Sequence, residues 1–196
     1  MCEKLNIPKG AIYEEATSTH FSEWLGKERS LFLGTLCVDE MENGIFIDYL
    51  KMRYPHIDET IRVRPYTECL RGNNVTIHEN MLRTVRIAKE HGFKIAMLTN
   101  NMFLDIEHKE PRLPIDLTHF VEVVESCIEH TMKPNLDFYQ ICEKRLGVKG
   151  EQIVFLDDIQ ENLDAAQKLG WKTIKVGSNV QEAVDELSKM INVKFD

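Results

Sequence analysis

The 196 residues suit one well-buried domain with at most a small accessory subdomain, because domains cluster at roughly 100–200 residues. A formal net charge of −8 argues against nucleic-acid binding, and no run approaches the ~18 apolar residues of a membrane-spanning helix, so small molecules or proteins remain as partners. Five cysteines at irregular spacing, with no secretory signal at the N-terminus, indicate reduced thiols and a cytoplasmic protein.

The first half of the chain has helical periodicity. From Ala11 to Met52 the apolar residues recur at helical spacing, and "ENG" at 42–44 interrupts the pattern. We therefore predict a helical cap subdomain over residues 1–60. Residues 61–76 are rich in turn-forming residues and predict a connector.

From residue 77 onward the pattern changes, and helices alternate with short apolar strands. Strands separated by helices indicate βαβ units and a parallel sheet, so we predict an α/β core over residues 77–196. The predicted helices lie at 79–92, 134–147, about 159–169 and 180–191, and the predicted strands at 93–100, 121–126, 152–158 and 172–177.

Polar residues follow two of these strands, where each strand ends. Thr99 and Asn100 close one apolar run, and the adjacent Asp157 and Asp158 close another. Ligands of open α/β sheets bind at the carboxyl ends of the strands. We therefore expect these side chains at one edge of the sheet.

Each of these features also has an ordinary structural explanation. Asp158 followed by Glu161 is the pattern of a capping box at a helix start. Asp157 can be a polar strand end, and residues 99–101 can begin a helix. Lys133, before a proline, can be a solvated surface lysine. The case for a site depends on the combination and its order along the chain.

That combination resembles the haloacid dehalogenase (HAD) superfamily of phosphoryl-transfer hydrolases. "KIAMLTNN" at 94–101 is similar to the second family motif, "KPNLDFYQ" at 133–140 to the third, and "IVFLDDIQENLDAAQKLGW" at 153–171 to the fourth. Residues 77–177 look similar to the phosphatase-like N-terminal domain of soluble epoxide hydrolase and to the related domain of some acyl-CoA dehydrogenase fusion proteins. "LNIPKGAIYEE" and the helical segment after it look like the family's small cap. The resemblance implies a Rossmann-like parallel-sheet core.

The resemblance also implies roles for individual residues. Mg²⁺ would be held partly by the carboxylate of Asp158. Asp157 would either support that ligand without contacting the metal or replace it as the ligand. The Thr99 hydroxyl and nearby backbone amides would donate to the phosphoryl group of a small phosphorylated molecule, and Lys133 would supply positive charge. Asn162 would orient the carboxylate or Lys133. The implied catalytic residues are Thr99 and Lys133, and the implied substrate-binding residues are Thr99, Asn100, Lys133 and Asn162.

One part of the family's machinery is absent from the sequence. The family uses a nucleophilic aspartate in an Asp-x-Asp motif after its first strand, and no Asp-x-Asp occurs among the 196 residues. Asp39 ends an apolar run, but Met41 follows two positions later and the surroundings predict a cap helix. In the family, the first strand is central, between the strands ending at Thr99 and Asp157. We therefore predict a core that lacks this strand.

Three functional hypotheses follow. The first is a Mg²⁺-dependent phosphomonoesterase domain that is inactive as given because the nucleophile segment is missing. The second is a non-catalytic HAD scaffold that binds a phosphorylated ligand or a protein partner. The third, a plain α/β domain, requires all three motifs to be coincidental. A larger fusion partner is compatible with the first two hypotheses. So is a homo-oligomer, since unpaired strand edges favour association.

Overall fold

The computed structural model divides the chain into two compact units. We call Met1–Val75 with Met102–Leu113 the helical unit, and Thr76–Asn101 with Pro114–Asp196 the α/β unit. No helix among the described residues is long and apolar enough to cross a membrane. The described residues are 6–26, 30–57, 63–71, 77–109, 113 and 115–195.

The helical unit is organised around buried aromatic rings. The ring of Phe21 lies 4.9 Å from that of Phe46 and 5.0 Å from that of Tyr49, measured between centroids. The interruption predicted at 42–44 is a π-helical turn, Met41–Ile45, which joins two helices without a break. The helices are α1 (Ala11–Ala16), α2 (Thr19–Leu25), α3 (Val38–Glu40), α4 (Phe46–Arg53) and α5 (Pro65–Arg71).

Two segments, Pro65–Arg71 and residues 102–113, have positions that the periodicity of the sequence does not predict. Helix α5 lies within the stretch predicted as a connector. Residues 102–113, which follow the first strand of the α/β unit, belong to the helical unit. The backbone N–H of Val38 donates to the Phe103 carbonyl at 2.9 Å, and that of Asp39 donates to the Leu104 carbonyl at 3.0 Å. These bonds attach the segment to the start of α3.

The α/β unit contains every strand and helix predicted from residue 77 onward, with bounds that differ by a few residues. Helix ends follow local chemistry; for example, Gly147 ends a helix in the left-handed conformation, at φ 66°. The elements are α6 (Glu79–Glu90), β1 (Ala96–Thr99), β2 (Glu122–Glu125), α7 (Ser126–Glu129), α8 (Leu136–Leu146), β3 (Val154–Asp157), α9 (Gln160–Lys168), β4 (Lys172–Lys175) and α10 (Val180–Ile191).

The four strands form two separate parallel pairs. Strand β1 pairs with β2, with Ala96 opposite Glu122, and β3 pairs with β4, with Val154 opposite Lys172. In the described part of the chain, no ladder joins β1 to β3. These are the two strands between which the family's first strand is expected. The predicted parallel α/β core is confirmed, and among the described residues no strand joins the two pairs.

Both pairs are nevertheless covered by the same helices. Leu98 of β1 and Phe155 of β3 contribute to one hydrophobic cluster, beneath α8 and α9. Ile95 before β1 and Leu156 of β3 contribute to a second cluster, beneath α6 and α10. All four residues of β1 remain partly exposed, although parallel strands are usually buried on both faces. The strands thus have helical cover on each face, and among the described residues β1 and β3 each pair with a strand on one edge only.

Candidate functional site

Asp157, the last residue of β3, lies at the centre of the candidate site. Its side chain is buried, and both carboxylate oxygens accept hydrogen bonds. Oδ2 accepts from Lys133 Nζ at 2.6 Å, while Oδ1 accepts from Asn162 Nδ2 at 2.9 Å and from the Ile159 backbone N–H at 2.8 Å. We call these four residues the Asp157 network.

The donors determine the charge state of Asp157. Burial alone raises the pKa of a carboxyl group because it disfavours the charged form. Hydrogen bonds from Lys133, Asn162 and Ile159, together with the positive charge of Lys133, outweigh burial and hold the pKa of Asp157 below its usual value. At neutral pH the site therefore contains a carboxylate paired with an ammonium group.

Lys133 is not the solvated surface lysine that its position before a proline allowed. Its side chain is 12% exposed, and its Nζ lies 5.5 Å from the centre of the Phe155 ring as well as beside Asp157. The ammonium group has three donors, and the contact with Asp157 uses one of them. The remaining donors can bind an anion at this edge of the strands.

Asn100 holds the backbone of Lys133. Its Nδ2 donates to the Lys133 carbonyl at 3.1 Å, and its Oδ1 accepts from the Lys133 N–H at 2.9 Å. Thr99 is less constrained, since its hydroxyl reaches the Asn100 carbonyl only at 3.5 Å, the limit of a hydrogen bond. No helix begins at residues 99–101, so the interpretation of this stretch as a helix start is wrong.

Asp158 lies outside the Asp157 network. Its carbonyl accepts from Lys175 Nζ, while its carboxylate is exposed and has no hydrogen-bond or ion-pair partner among the described residues. The predicted capping box with Glu161 does not form, because α9 begins at Gln160 and its N-cap is Ile159. The Asp158 carboxylate is therefore available to a ligand, whereas both oxygens of Asp157 are engaged.

The two aspartates differ in how well they fit Mg²⁺. This ion takes six oxygen ligands and commonly combines one or two carboxylates with water. The Asp158 carboxylate fits that chemistry, whereas Asp157 would have to give up Lys133 or Asn162. Among the described residues, no three His, Cys, Asp or Glu side chains cluster closely enough to form a metal site by themselves.

Asn101, the last residue of the second motif, joins the ends of β1 and β2 through contacts with two residues outside the motifs. Asn101 Nδ2 donates to Glu125 Oε1 at 2.9 Å, and the Asn101 N–H donates to Ser126 Oγ at 3.0 Å. Glu125 and Ser126 are both buried. An acidic residue at the carboxyl end of the strand "VEVVES" was the available signal. These contacts involve no residue of the Asp157 network.

Three aromatic residues of the helical unit divide into core and surface. Tyr49 is 1% exposed and belongs to the core, whereas Trp24 and Phe32 are more than a third exposed. A cavity of about 650 Å³ is lined in part by Phe21, Phe32 and Tyr66.

The nearest alternative nucleophile, Asp39, lies in the first turn of α3 in the helical unit, rather than at the end of a strand.

Comparison with known proteins gives a consistent result. Residues 7–170 match the haloacid dehalogenase-like hydrolase family. The chain is 35% identical over 133 residues to acyl-CoA dehydrogenase family member 10 of Mus musculus, covering 67% of this chain and 12% of that protein. It is 32% identical over 123 residues to bifunctional epoxide hydrolase 2 of Mus musculus, covering 61% and 22% respectively. The chain thus spans a small part of these relatives.

A solved structure has a similar fold. It is a HAD family enzyme from Bacteroides thetaiotaomicron in complex with magnesium and inorganic phosphate. The TM-score is 0.61 at 16% sequence identity, and the match covers 86% of this chain and 85% of that one.

Proposed function

Because the chain belongs to the haloacid dehalogenase-like hydrolase family, we propose that its α/β unit is a domain of the Mg²⁺-dependent phosphomonoesterase type. The observation that carries the proposal is the Asp157 network at the carboxyl end of β3. It holds a largely buried ammonium group beside a carboxylate, with donors left for an anion. The ligand in this proposal is the phosphoryl group of a small phosphorylated molecule.

The residues would have separate roles in binding that group. Lys133 would place positive charge against the phosphoryl oxygens, and the Thr99 hydroxyl with nearby backbone amides would donate hydrogen bonds. Mg²⁺, when bound, would neutralise phosphoryl charge and would take the exposed carboxylate of Asp158 as a ligand. Asp157 and Asn162 would orient Lys133. Phosphoryl transfer depends mostly on such positioning and charge stabilisation.

Hydrolysis also needs a nucleophile, and the 196 residues contain no Asp-x-Asp. We therefore propose that the domain is inactive as given, and that its activity requires a strand carrying this motif. In the same proposal the helical unit corresponds to the family's cap, and the protein is cytoplasmic.

A second candidate function is favoured by the combination of an intact Asp157 network with the absent motif. In this alternative the domain binds a phosphorylated ligand, or a protein partner, without turning it over. Such a domain would need Lys133 and the strand ends but no nucleophile.

The deciding experiment adds an N-terminal segment with an apolar strand and an Asp-x-Asp motif to the chain. We expect Mg²⁺-dependent hydrolysis of p-nitrophenyl phosphate by this protein and none by the unextended chain. The matched control carries the same segment with Asn in place of the first Asp. No turnover by a folded extended protein would exclude the phosphomonoesterase proposal. Phosphate binding by the unextended chain, without turnover in either form, would support the second function.

A further inference from the structure

The side chain of Asn100 makes the same pair of contacts with Lys133 that a neighbouring strand would make. Its amide donates to the Lys133 carbonyl and accepts from the Lys133 N–H, at 3.1 and 2.9 Å. Both bonds go to the backbone of Lys133. They therefore hold its main chain beside Asn100, the residue that follows β1. The loop before α8 is thereby attached to the end of the first strand pair.

The Lys133 side chain reaches the other strand pair. Its Nζ contacts Asp157 at the end of β3, and Asn162 of α9 holds that carboxylate from the other side. In the residues that the structure describes, β1 and β3 share no ladder. The path from Asn100 through Lys133 to Asp157 is therefore a polar connection between two strand pairs that are not hydrogen-bonded to each other.

We propose that Asn100 is a positioning residue for Lys133: it anchors the lysine backbone at the first strand pair so that the ammonium group is held at the second. Whether this ammonium group then binds the phosphoryl group of a ligand rests on the proposed function. Lysine carries its charge on a long flexible stem, so a point of attachment at the backbone decides where that charge can lie. The Phe155 ring and the Asp157 carboxylate then fix its far end.

This role differs from the substrate contact that the resemblance implied for Asn100. The carboxamide has two donor hydrogens and one acceptor oxygen. One donor and the oxygen are engaged with Lys133. A residue that contacts substrate directly would affect phosphate binding without affecting Lys133, whereas a positioning residue affects both.

The test compares Asn100→Ala with Asn101→Ala in the 196-residue chain. Asn101 is the matched control because it also donates one side-chain hydrogen bond at a strand end, but to Glu125 rather than to Lys133. Two quantities are measured: the dissociation constant for inorganic phosphate, and the NMR scalar coupling across the hydrogen bond between Lys133 Nζ and the Asp157 carboxyl carbon.

We expect Asn100→Ala to weaken phosphate binding about tenfold and to abolish the coupling, with both quantities unchanged in Asn101→Ala. Retention of the coupling in Asn100→Ala, or its equal loss in both variants, would overturn the positioning role. If the unsubstituted chain binds no phosphate, the proposed function fails, while the coupling still decides the role of Asn100.

A second measurement covers the case in which Asn100→Ala does not fold. In the unsubstituted chain, the coupling between the Lys133 backbone nitrogen and the Asn100 carboxamide carbon reports the anchoring bond directly. Its detection supports the anchor, and its absence from a folded chain with assigned signals overturns it.

Discussion

Glu15 in the helical unit and Asp157 in the α/β unit are buried carboxylates that each accept three hydrogen bonds. Glu15 in the helical unit accepts from the hydroxyl of Tyr49 at 2.6 Å, from Arg53 Nε at 3.2 Å and from the hydroxyl of Tyr54 at 3.2 Å. Asp157 in the α/β unit accepts from Lys133, Asn162 and the Ile159 N–H. In each case burial raises the pKa of the carboxyl group, and the donors outweigh it and lower the pKa.

The two carboxylates differ in which segments supply their hydrogen-bond donors, and in whether a donor group keeps N–H bonds that a ligand could use. All three donors to Glu15 belong to α4 or to the residue after it, so this carboxylate fastens α1 to one helix. The donors to Asp157 come from separate segments that meet at a strand end, and one of them is an ammonium group with donors to spare. Burial and a lowered pKa, which Glu15 and Asp157 share, therefore do not identify a ligand-binding site. The position of Asp157 at the end of a strand distinguishes it from Glu15.

The largest expected effect is that of Asp157→Asn, which removes the counter-charge of Lys133, a residue whose side chain is only 12% exposed. Removal of one partner of a buried ion pair costs about 3 kcal/mol in free energy of unfolding. Trp171 lies in the α/β unit and Trp24 in the helical unit, so each unit can be followed by fluorescence in a Trp24→Phe or Trp171→Phe background. Urea unfolding followed at Trp171 measures the loss; an effect below about 1 kcal/mol would contradict a tightly held pair.

A smaller effect is expected for Glu15→Gln. The amide oxygen still accepts from the Tyr49 hydroxyl, and Arg53 is largely exposed, so it keeps its hydration when the charge is removed. We expect a loss of about 1 kcal/mol, measured at Trp24. A loss as large as that of Asp157→Asn would mean that the two carboxylates are energetically equivalent, which would remove the distinction drawn between them.

The smallest effect concerns pH. The pKa of Asp157 is lower in the folded than in the unfolded chain, so its contribution to stability is complete above the unfolded value of about 3.9. It is lost as the pH falls from there through the folded value. We expect the free energy of unfolding measured at Trp171 to fall as the pH drops below about 5, and to keep falling until the folded value is passed, with a shallower fall in Asp157→Asn. Equal slopes would show that other groups carry the acid sensitivity of the unit.

The α/β half was predicted closely from the sequence because its signals are local. Alternating apolar runs and helix-ending glycines gave each element of this half except the short helix α7, and the motifs gave the residues of the Asp157 network. The sequence could not show which of the adjacent aspartates, Asp157 or Asp158, faces Lys133, since that depends on how the chain turns after β3. The sequence also placed Asn100 at this strand end, but it could not show the two hydrogen bonds with the Lys133 backbone, which lies 33 residues away.

The helical half was harder to predict for a physical reason. The donors to Glu15 lie 34 to 39 residues away in sequence, so no short pattern connects them. Glu42 is similar: it is fully buried in the π-helical turn and accepts from the backbone N–H groups of Tyr66 and Thr67 at the start of α5. Such contacts depend on helix packing, which periodicity does not specify.

The two strand pairs also differ in how they are connected, and this bears on the order in which the chain folds. Between β3 and β4 the chain forms only α9, so the connection that closes this pair stays within the α/β unit. Between β1 and β2 it first passes through Met102–Leu113, which belongs to the helical unit. Pairings with fewer intervening residues cost less loop entropy and form earlier. We therefore expect β3, α9 and β4 to fold first, with β1 and β2 pairing after the intervening segment has found its place.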